Sequence, residues 1–277
     1  MEFLKAYFKF HGHLVLKSYR WLILKTDKNL FAILFNIKSL FLRSSSKVLW
    51  NGQNFVLSDK AFPSKNIFVR HQTMCNDLYQ FGIQKRLANL ENAYFLEKMN
   101  FSNGDVFVDC GANIGDLKLW FDFNNIKIEY IGFEPSPIEF KCLSHNAESS
   151  EVFNYALWNE KKDIEFYLSS QEANSSIIKP PSFDQKIKIQ ARRLEDFINK
   201  KIKCLKLEAE GAEPEVLMGL GSKLNLIEFI SADLSNERGV LQESTFNQVT
   251  NFLLSNHFKL IEVSHLRGSA LFKNTLI

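Results

Sequence analysis

From Val106 to Gly115 the chain reads Val-Phe-Val-Asp-Cys-Gly-Ala-Asn-Ile-Gly, and no other segment constrains the fold as strongly. Three apolar residues in a row suit a strand buried on both faces. A carboxylate marks its tip, and small residues then turn the chain into a helix. Beyond it, strand-like and helix-like segments alternate. Strands are predicted over 105–109, 128–133, 152–156, 203–208, 226–233, 259–263 and 270–273, and helices over 115–123, 137–146, 214–220 and 245–256. This alternation predicts an α/β fold built on a mixed, mostly parallel seven-stranded sheet with helices on both faces. Two further β-like runs, 164–168 and 187–190, fall between the third and fourth strands.

Ligands of such sheets bind outside the carboxyl ends of the strands, which places Asp109 at the expected site. Gly111 and Gly115 allow a tight turn and a close backbone approach. Their spacing is G-x-x-x-G, whereas the dinucleotide loop G-x-G-x-x-G seats a pyrophosphate on a helix N-terminus. S-adenosylmethionine (SAM) has no phosphate; it offers a sulfonium, a zwitterionic amino-acid end and a ribose. A loop carrying Asp109, Ala112 and Asn113 suits that ligand better than a nicotinamide dinucleotide.

The second strand runs into Glu134-Pro135-Ser136-Pro137. Glu134 sits at the next strand tip, where a carboxylate can accept from both ribose hydroxyls; the alternative is a helix-capping acid, since Pro137 suits a first helical turn. The third strand ends in Asn154-Tyr155-Ala156-Leu157, with Asn154 and Leu157 placed for the adenine ring. The fourth reads Lys206-Leu207-Glu208-Ala209-Glu210-Gly211-Ala212-Glu213-Pro214-Glu215. Glu213 and Glu215 are expected in a solvated first helical turn, where acids are favoured. Glu208 and Glu210 fall in the loop that faces the methyl donor, and strand alternation puts Lys206 on the side of Glu208.

Together these segments resemble the FkbM family of SAM-dependent methyltransferases over about residues 100–273. The resemblance rests on VDCGANIG (108–115), FEPSP (133–137), NYAL (154–157), NSSI (174–177) and LKLEAEGAEPEVLMG (205–219). It implies a Rossmann-like class I methyltransferase that O-methylates a hydroxyl of a polyketide, a sugar or a surface glycan. It also implies a cofactor-binding role for Asp109, Gly111, Asn113, Gly115 and Glu134. Glu208 departs from the family pattern, in which Asp is common; the charge is kept and the reach is longer.

Methyl transfer to a hydroxyl needs a base to take its proton as the new bond forms. Glu208, Glu210 and His145 are the candidates, His145 reading equally as a plain helical residue; Lys206 can neutralise a carboxylate, steer an anionic acceptor or simply form a structural ion pair. No His joins the carboxylates, so no metal is expected. A dehydrogenase would want the missing G-x-G-x-x-G. A non-catalytic partner subunit would not need both Asp109 and Glu134. A membrane-associated adaptor would account for the N-terminal extension but not for the motifs that follow it.

That extension is basic. Residues 1–50 hold nine Lys or Arg against Glu2 and Asp27, while the whole chain carries only +3. A helix over 3–22 gathers Phe3, Tyr7, Phe10, Leu14 and Trp21 on one face, and the apolar run 30–42 is too short and too charged to span a membrane. Two readings stand side by side: both helices cover a core or a homodimer interface, or they form a basic surface on the inner face of an anionic membrane. No nucleic-acid-binding motif is present. A hairpin is expected over 47–57 around Asn51-Gly52, and a helix over 75–99 with Leu78, Ile83, Leu87, Leu90 and Leu96 inward. The expected divisions are 1–46, 47–100 and 101–277. The four cysteines are scattered, which suits a reduced, cytoplasmic chain. No run reads as a signal peptide. The 26 Phe are expected chiefly as core filling.

Overall fold

The computed structural model describes residues 20, 22–169, 175–264 and 267–277, so the helix expected over 3–22 lies almost wholly outside the described residues. The chain forms two compact units, 1–86 and 87–277.

In the first unit, helix α1 (Lys28–Phe41) is capped by Asp27, whose carboxylate accepts from the amides of Asn29 and Leu30. Phe31, Ala32 and Phe35 turn inward onto a small antiparallel sheet of β1 (Ser46–Trp50), β2 (Phe55–Asp59) and β3 (Asn66–Val69). The Phe31 and Phe55 rings meet edge to face at 5.1 Å. The expected hairpin is present, its turn closed by the Asn51 side chain accepting from the amides of Gln53 and Asn54. The third strand had not been anticipated.

The single helix expected over 75–99 is instead α2 (Gln72–Tyr79), α3 (Ile83–Tyr94) and a 3-10 turn (Leu96–Met99). The break falls at Gly82, whose φ of +95° is open to glycine, and the Asp59 carboxylate caps the restart by accepting from the Ile83 amide at 3.0 Å. Ile83, Leu87, Leu90 and Leu96 are buried as expected, while Leu78 is only half-buried.

The second unit holds a seven-stranded sheet. In chain order its strands are β4 (Val106–Cys110), β5 (Glu129–Phe133), β6 (Glu151–Phe153), β10 (Ile202–Leu207), β11 (Ile227–Asp233), β14 (Phe258–Val263) and β15 (Ser269–Asn274). Their spatial order is β14-β15-β11-β10-β4-β5-β6, and all neighbours are parallel except where β15 lies against β11 and β14. This is the Rossmann-like class I methyltransferase arrangement, with the order reversing beside β4. Helices α4 (Asp116–Phe123), α5 (Pro137–Asn146), α6 (Glu213–Met218) and α7 (Phe246–Ser255) accompany it.

Alternation along β4 sends Val106, Val108 and Cys110 into one core with Leu205, Leu207, Ile230, Val216 and Val249. Phe107 points the other way, into an aromatic cluster with Phe101, Phe121 and Tyr130, so much of the phenylalanine excess is core filling. The third strand ends earlier than expected. Asn154 follows it and donates to the carbonyls of Glu134 and Pro135 at 2.8 and 3.0 Å, and the chain then leaves the sheet. The next pair, β7 (Ala156–Leu157), joins β8 (Lys162–Leu168) and β9 (Gln185–Arg192) in a separate three-stranded sheet.

Candidate active site

The loop after β4 takes three left-handed steps, at Gly111 (φ +75°), Asn113 (+50°) and Gly115 (+88°). The Phe133 carbonyl at the tip of β5 accepts from the amides of both Gly111 and Ala112. A Cβ on Gly111 would overlap the Glu208 carbonyl oxygen, and one on Gly115 would press on the Leu143 side chain of α5 at 3.1 Å. Protein atoms therefore fill both clearances. Glu134 is 7% exposed, and its two oxygens accept from the amides of Asn113 and Ser136, each at 2.8 Å. Burial, with Glu139 nearby, pushes its pKa up to about 8. Ser136 precedes α5 and donates to Glu139, which steadies the Glu134-Pro135 turn.

Beneath this loop runs a buried charge network. Asp109 is 1% exposed; it accepts from the Tyr130 hydroxyl at 2.6 Å and lies 3.2 Å from the Lys206 ammonium. Lys206 is also buried. It donates to the carbonyls of Cys110 (3.1 Å) and Gly111 (2.6 Å) and pairs with Glu208 at 3.0 Å. Burial opposes its charge, but Asp109 and Glu208 outweigh burial and keep it protonated. Glu208 in turn accepts from the Tyr94 hydroxyl at 2.6 Å and pairs with Arg267 at 3.3 Å, which also reaches Asp233 at 3.1 Å. Burial would raise the Glu208 pKa, yet Lys206 and Arg267 bring it down to about 2.

Glu210 is in different surroundings. It occupies a left-handed position (φ +51°), and its carbonyl accepts from the buried Ser176 hydroxyl at 2.9 Å. Its carboxylate makes no hydrogen bond or ion pair among the described residues. Burial and the neighbouring Glu237, Glu208 and Glu213 hold its pKa well above the usual carboxylate range. Glu237 belongs to the hairpin of β12 (Asn236–Arg238) and β13 (Glu243–Ser244), and burial with Asp233 lifts it to about 7. Arg238 of that hairpin lies on Gly211, where a Cβ would overlap its backbone, and it pairs with Glu215 at 2.7 Å.

Glu213 is not solvated as its helix-start position suggested. It is 1% exposed, accepts from the amides of Ala209 and Gly211, and takes the Thr245 hydroxyl at 2.9 Å. Glu215 likewise meets Arg238 rather than water. Glu213 thus ties the loop before α6 to Thr245 at the start of α7, and Glu215 ties the hairpin to α6.

The residues singled out in the sequence therefore fall into distinct groups. Gly111, Ala112, Asn113, Glu134, Pro135 and Ser136 come together between the tips of β4 and β5, with Gly115 at the start of α4. Lys206, Glu208 and Glu210 lie at the end of β10 and in the loop after it. Asn154 is turned onto the Glu134-Pro135 backbone, while Ala156 and Leu157 are buried, Leu157 within the main core. His145 is exposed in the last turn of α5, roughly 12 Å along the helix from the end at the strand tips. Tyr94, Tyr130, Asp233, Glu237 and Arg267 went unrecognised. Two left a signal: Tyr94 extends the inward stripe Ile83, Leu87, Leu90 by one more turn, and Asp233 closes the strand predicted over 226–233.

The loop fits SAM by its own chemistry. The Asn113 side-chain oxygen is buried without a hydrogen-bond partner, and each Glu134 oxygen has one backbone donor, leaving lone pairs for ligand donors. Among the described residues, no group of three or more His, Cys, Asp or Glu is arranged to hold a metal.

A family model for the methyltransferase FkbM domain matches residues 109–260. Methyltransferase 1 of Beauveria bassiana (strain ARSEF 2860) is 25% identical over 171 residues, spanning 50% of this chain and 68% of that protein. Among solved structures, the ribosomal protein L11 methylase of Lactobacillus delbrueckii subsp. bulgaricus is 10% identical with a TM-score of 0.39, over 68% of this chain and 78% of that one. TrmK of M. capricolum, in complex with the cofactor product S-adenosyl-homocysteine, is 11% identical with a TM-score of 0.35, over 66% of this chain and 68% of that one. The chain belongs to the FkbM family of methyltransferases, and S-adenosylmethionine is its cofactor.

Proposed function

We propose that the protein methylates a hydroxyl oxygen of a sugar, a surface glycan or a related secondary metabolite, with Glu210 as the general base. SAM supplies the methyl group on a sulfonium. The Gly111–Gly115 loop and Glu134 hold this cofactor: Glu134 takes the ribose hydroxyls, and Asn113 takes a donor with its unpartnered side-chain oxygen. Pro135 and Ser136 shape the turn that carries Glu134, and Asn154 keeps that turn in place. Ala156 and Leu157 back the adenine side from beneath. Asp109 and Lys206 act as positioning residues, because Lys206 joins both loop carbonyls to the strand tips.

The observation that carries the reading is the contrast between Glu208 and Glu210. Glu208 is held by three donors and stays ionised down to about pH 2, which makes it a poor proton acceptor. Glu210 has no such partner among the described residues, and its raised proton affinity makes it the stronger proton acceptor of the two once it is ionised. Its backbone is fixed by Ser176, so its position does not depend on the carboxylate itself.

Radiolabel transfer from methyl-labelled SAM into a panel of hydroxylated acceptors tests this. Glu210→Gln should lower kcat about a hundredfold or more while SAM affinity, measured by calorimetry, stays within about twofold. Unchanged kcat would remove Glu210 as the base, and label found on nitrogen or carbon would overturn O-methylation.

A further inference from the structure

The first unit presents an apolar surface that methyl transfer does not use. On α1 the inward side is Phe31, Ala32, Phe35 and Ser39. The opposite side is apolar as well: Leu30, Ile33, Ile37, Leu40 and Phe41 are exposed, Leu40 by 73% and Phe41 by 84%. At 100° per residue these five positions fill a stripe about 100° wide running the length of the helix. Soluble helices normally place charge on that side.

Cations stand at both ends of the stripe. Lys25 precedes the helix, and Arg43 and Lys47 follow it, all three exposed. The acids near these cations are engaged elsewhere: Asp27 caps the helix, and Asp59 accepts from the hydroxyls of Ser45 and Ser46 and from the Ile83 amide. The wider distribution agrees: residues 1–86 hold fourteen Lys or Arg against four Asp or Glu, a net of +10, so residues 87–277 carry −7.

Arg43 adds an independent sign. Helix α1 closes with the Ser44 amide bonded to the Ser39 carbonyl and the Arg43 amide to the Leu40 carbonyl, a Schellman pattern. Arg43 is its left-handed residue, at φ +55°, the position where glycine is favoured. A cation is kept there at a backbone cost, directly beside Leu40, Phe41 and Leu42.

We propose that the outward face of α1 seats the protein on an anionic lipid surface, with Leu30, Ile33, Ile37, Leu40 and Phe41 in the acyl boundary and Lys25, Arg43 and Lys47 at the headgroups. Fourteen residues make a helix of about 21 Å, shorter than the roughly 30 Å hydrocarbon core, so α1 lies in the plane of the interface. Among the described residues no helix is long and apolar enough to cross a membrane, which agrees with peripheral seating. The inference is independent of the acceptor and of the catalytic base.

Co-sedimentation of the full chain with phosphatidylcholine vesicles, with and without phosphatidylglycerol, tests it. The wild type should sediment with the anionic vesicles and be released by high salt. Leu40→Ser combined with Phe41→Ser should weaken binding about tenfold or more. Arg43→Gly should raise the melting temperature by relieving the left-handed residue, yet weaken binding about fivefold. That opposition of stability and binding separates a lipid contact from a folding defect. No binding to anionic vesicles would overturn the proposal, as would binding that the Leu40/Phe41 variant leaves intact. Light scattering that shows a dimer, made monomeric by the same variant while vesicle binding is absent, would assign the stripe to a second copy instead.

Discussion

Glu208 and Glu210 are two residues apart, and their neighbours drive them in opposite electrostatic directions. Glu208 ionises far below its usual range because Lys206 and Arg267 flank it, whereas burial and Glu237 raise the proton affinity of Glu210. If Glu210 is the base, kcat rises with pH as its proton leaves. Glu237→Gln removes a negative neighbour, so Glu210 should ionise at lower pH. The rising limb of the kcat profile then shifts toward acid, and the plateau falls because the base is weaker. A profile unmoved by Glu237→Gln would show that the two acids do not interact. Lys206 gives a second residue-scale test. Lys206→Met removes the cation between Asp109 and Glu208 and leaves Glu208 only Arg267, so about 3–5 kcal/mol of stability should be lost and the melting temperature should drop by about 10 °C. Part of this chemistry was legible in the sequence. Asp109 and Glu134 sit at strand tips, and strand tips can be located from apolar runs. Glu237 and Arg267 arrive from loops with no spacing signature, and only folding brings them beside Glu208 and Glu210.

The elements themselves were largely written in local pattern. Helix α5 runs from Pro137 to Asn146 as expected, since a proline fits its first turn, and most sheet strands fall within two residues of their predicted ends. The misses have physical causes. Gly82 sits inside an apolar-periodic stretch, where a lone glycine does not announce whether it breaks the helix; here its positive φ and the Asp59 cap decide. Strand β6 stops early because Asn154 engages the neighbouring turn. Two glycines test how the elements divide the labour. Gly111→Ala drives a Cβ into the Glu208 carbonyl and should abolish measurable SAM binding. Gly211→Ala lifts the Arg238 hairpin from the loop bearing Glu210, and kcat should fall about tenfold or more with SAM affinity nearly unchanged. Equal loss of cofactor affinity in both would mean that the hairpin belongs to the cofactor site.

Over the whole molecule, parts of the chain far apart in sequence build one site. The carbonyls of Ala93 and Tyr94, at the end of α3, accept from the hydroxyls of Ser269 and Ser231 at 2.8 Å, and the Tyr94 ring lies 5.5 Å from the guanidinium of Arg267. Those ties are invisible in the sequence, because nothing local to Tyr94 anticipates a serine on the last strand. They also bear on biosynthesis. While the ribosome is still adding residues 231–273, the cofactor loop at 108–115 has already emerged, but the strands that flank and brace its supports have not. Nascent chains stalled so that only the first 263 residues have left the exit tunnel should fail to retain SAM, and chains in which residues 264–277 have also emerged should retain it. Until β15 is inserted, the newborn protein is dependent on whatever shields the open edge of β11 from chaperone capture and proteolysis.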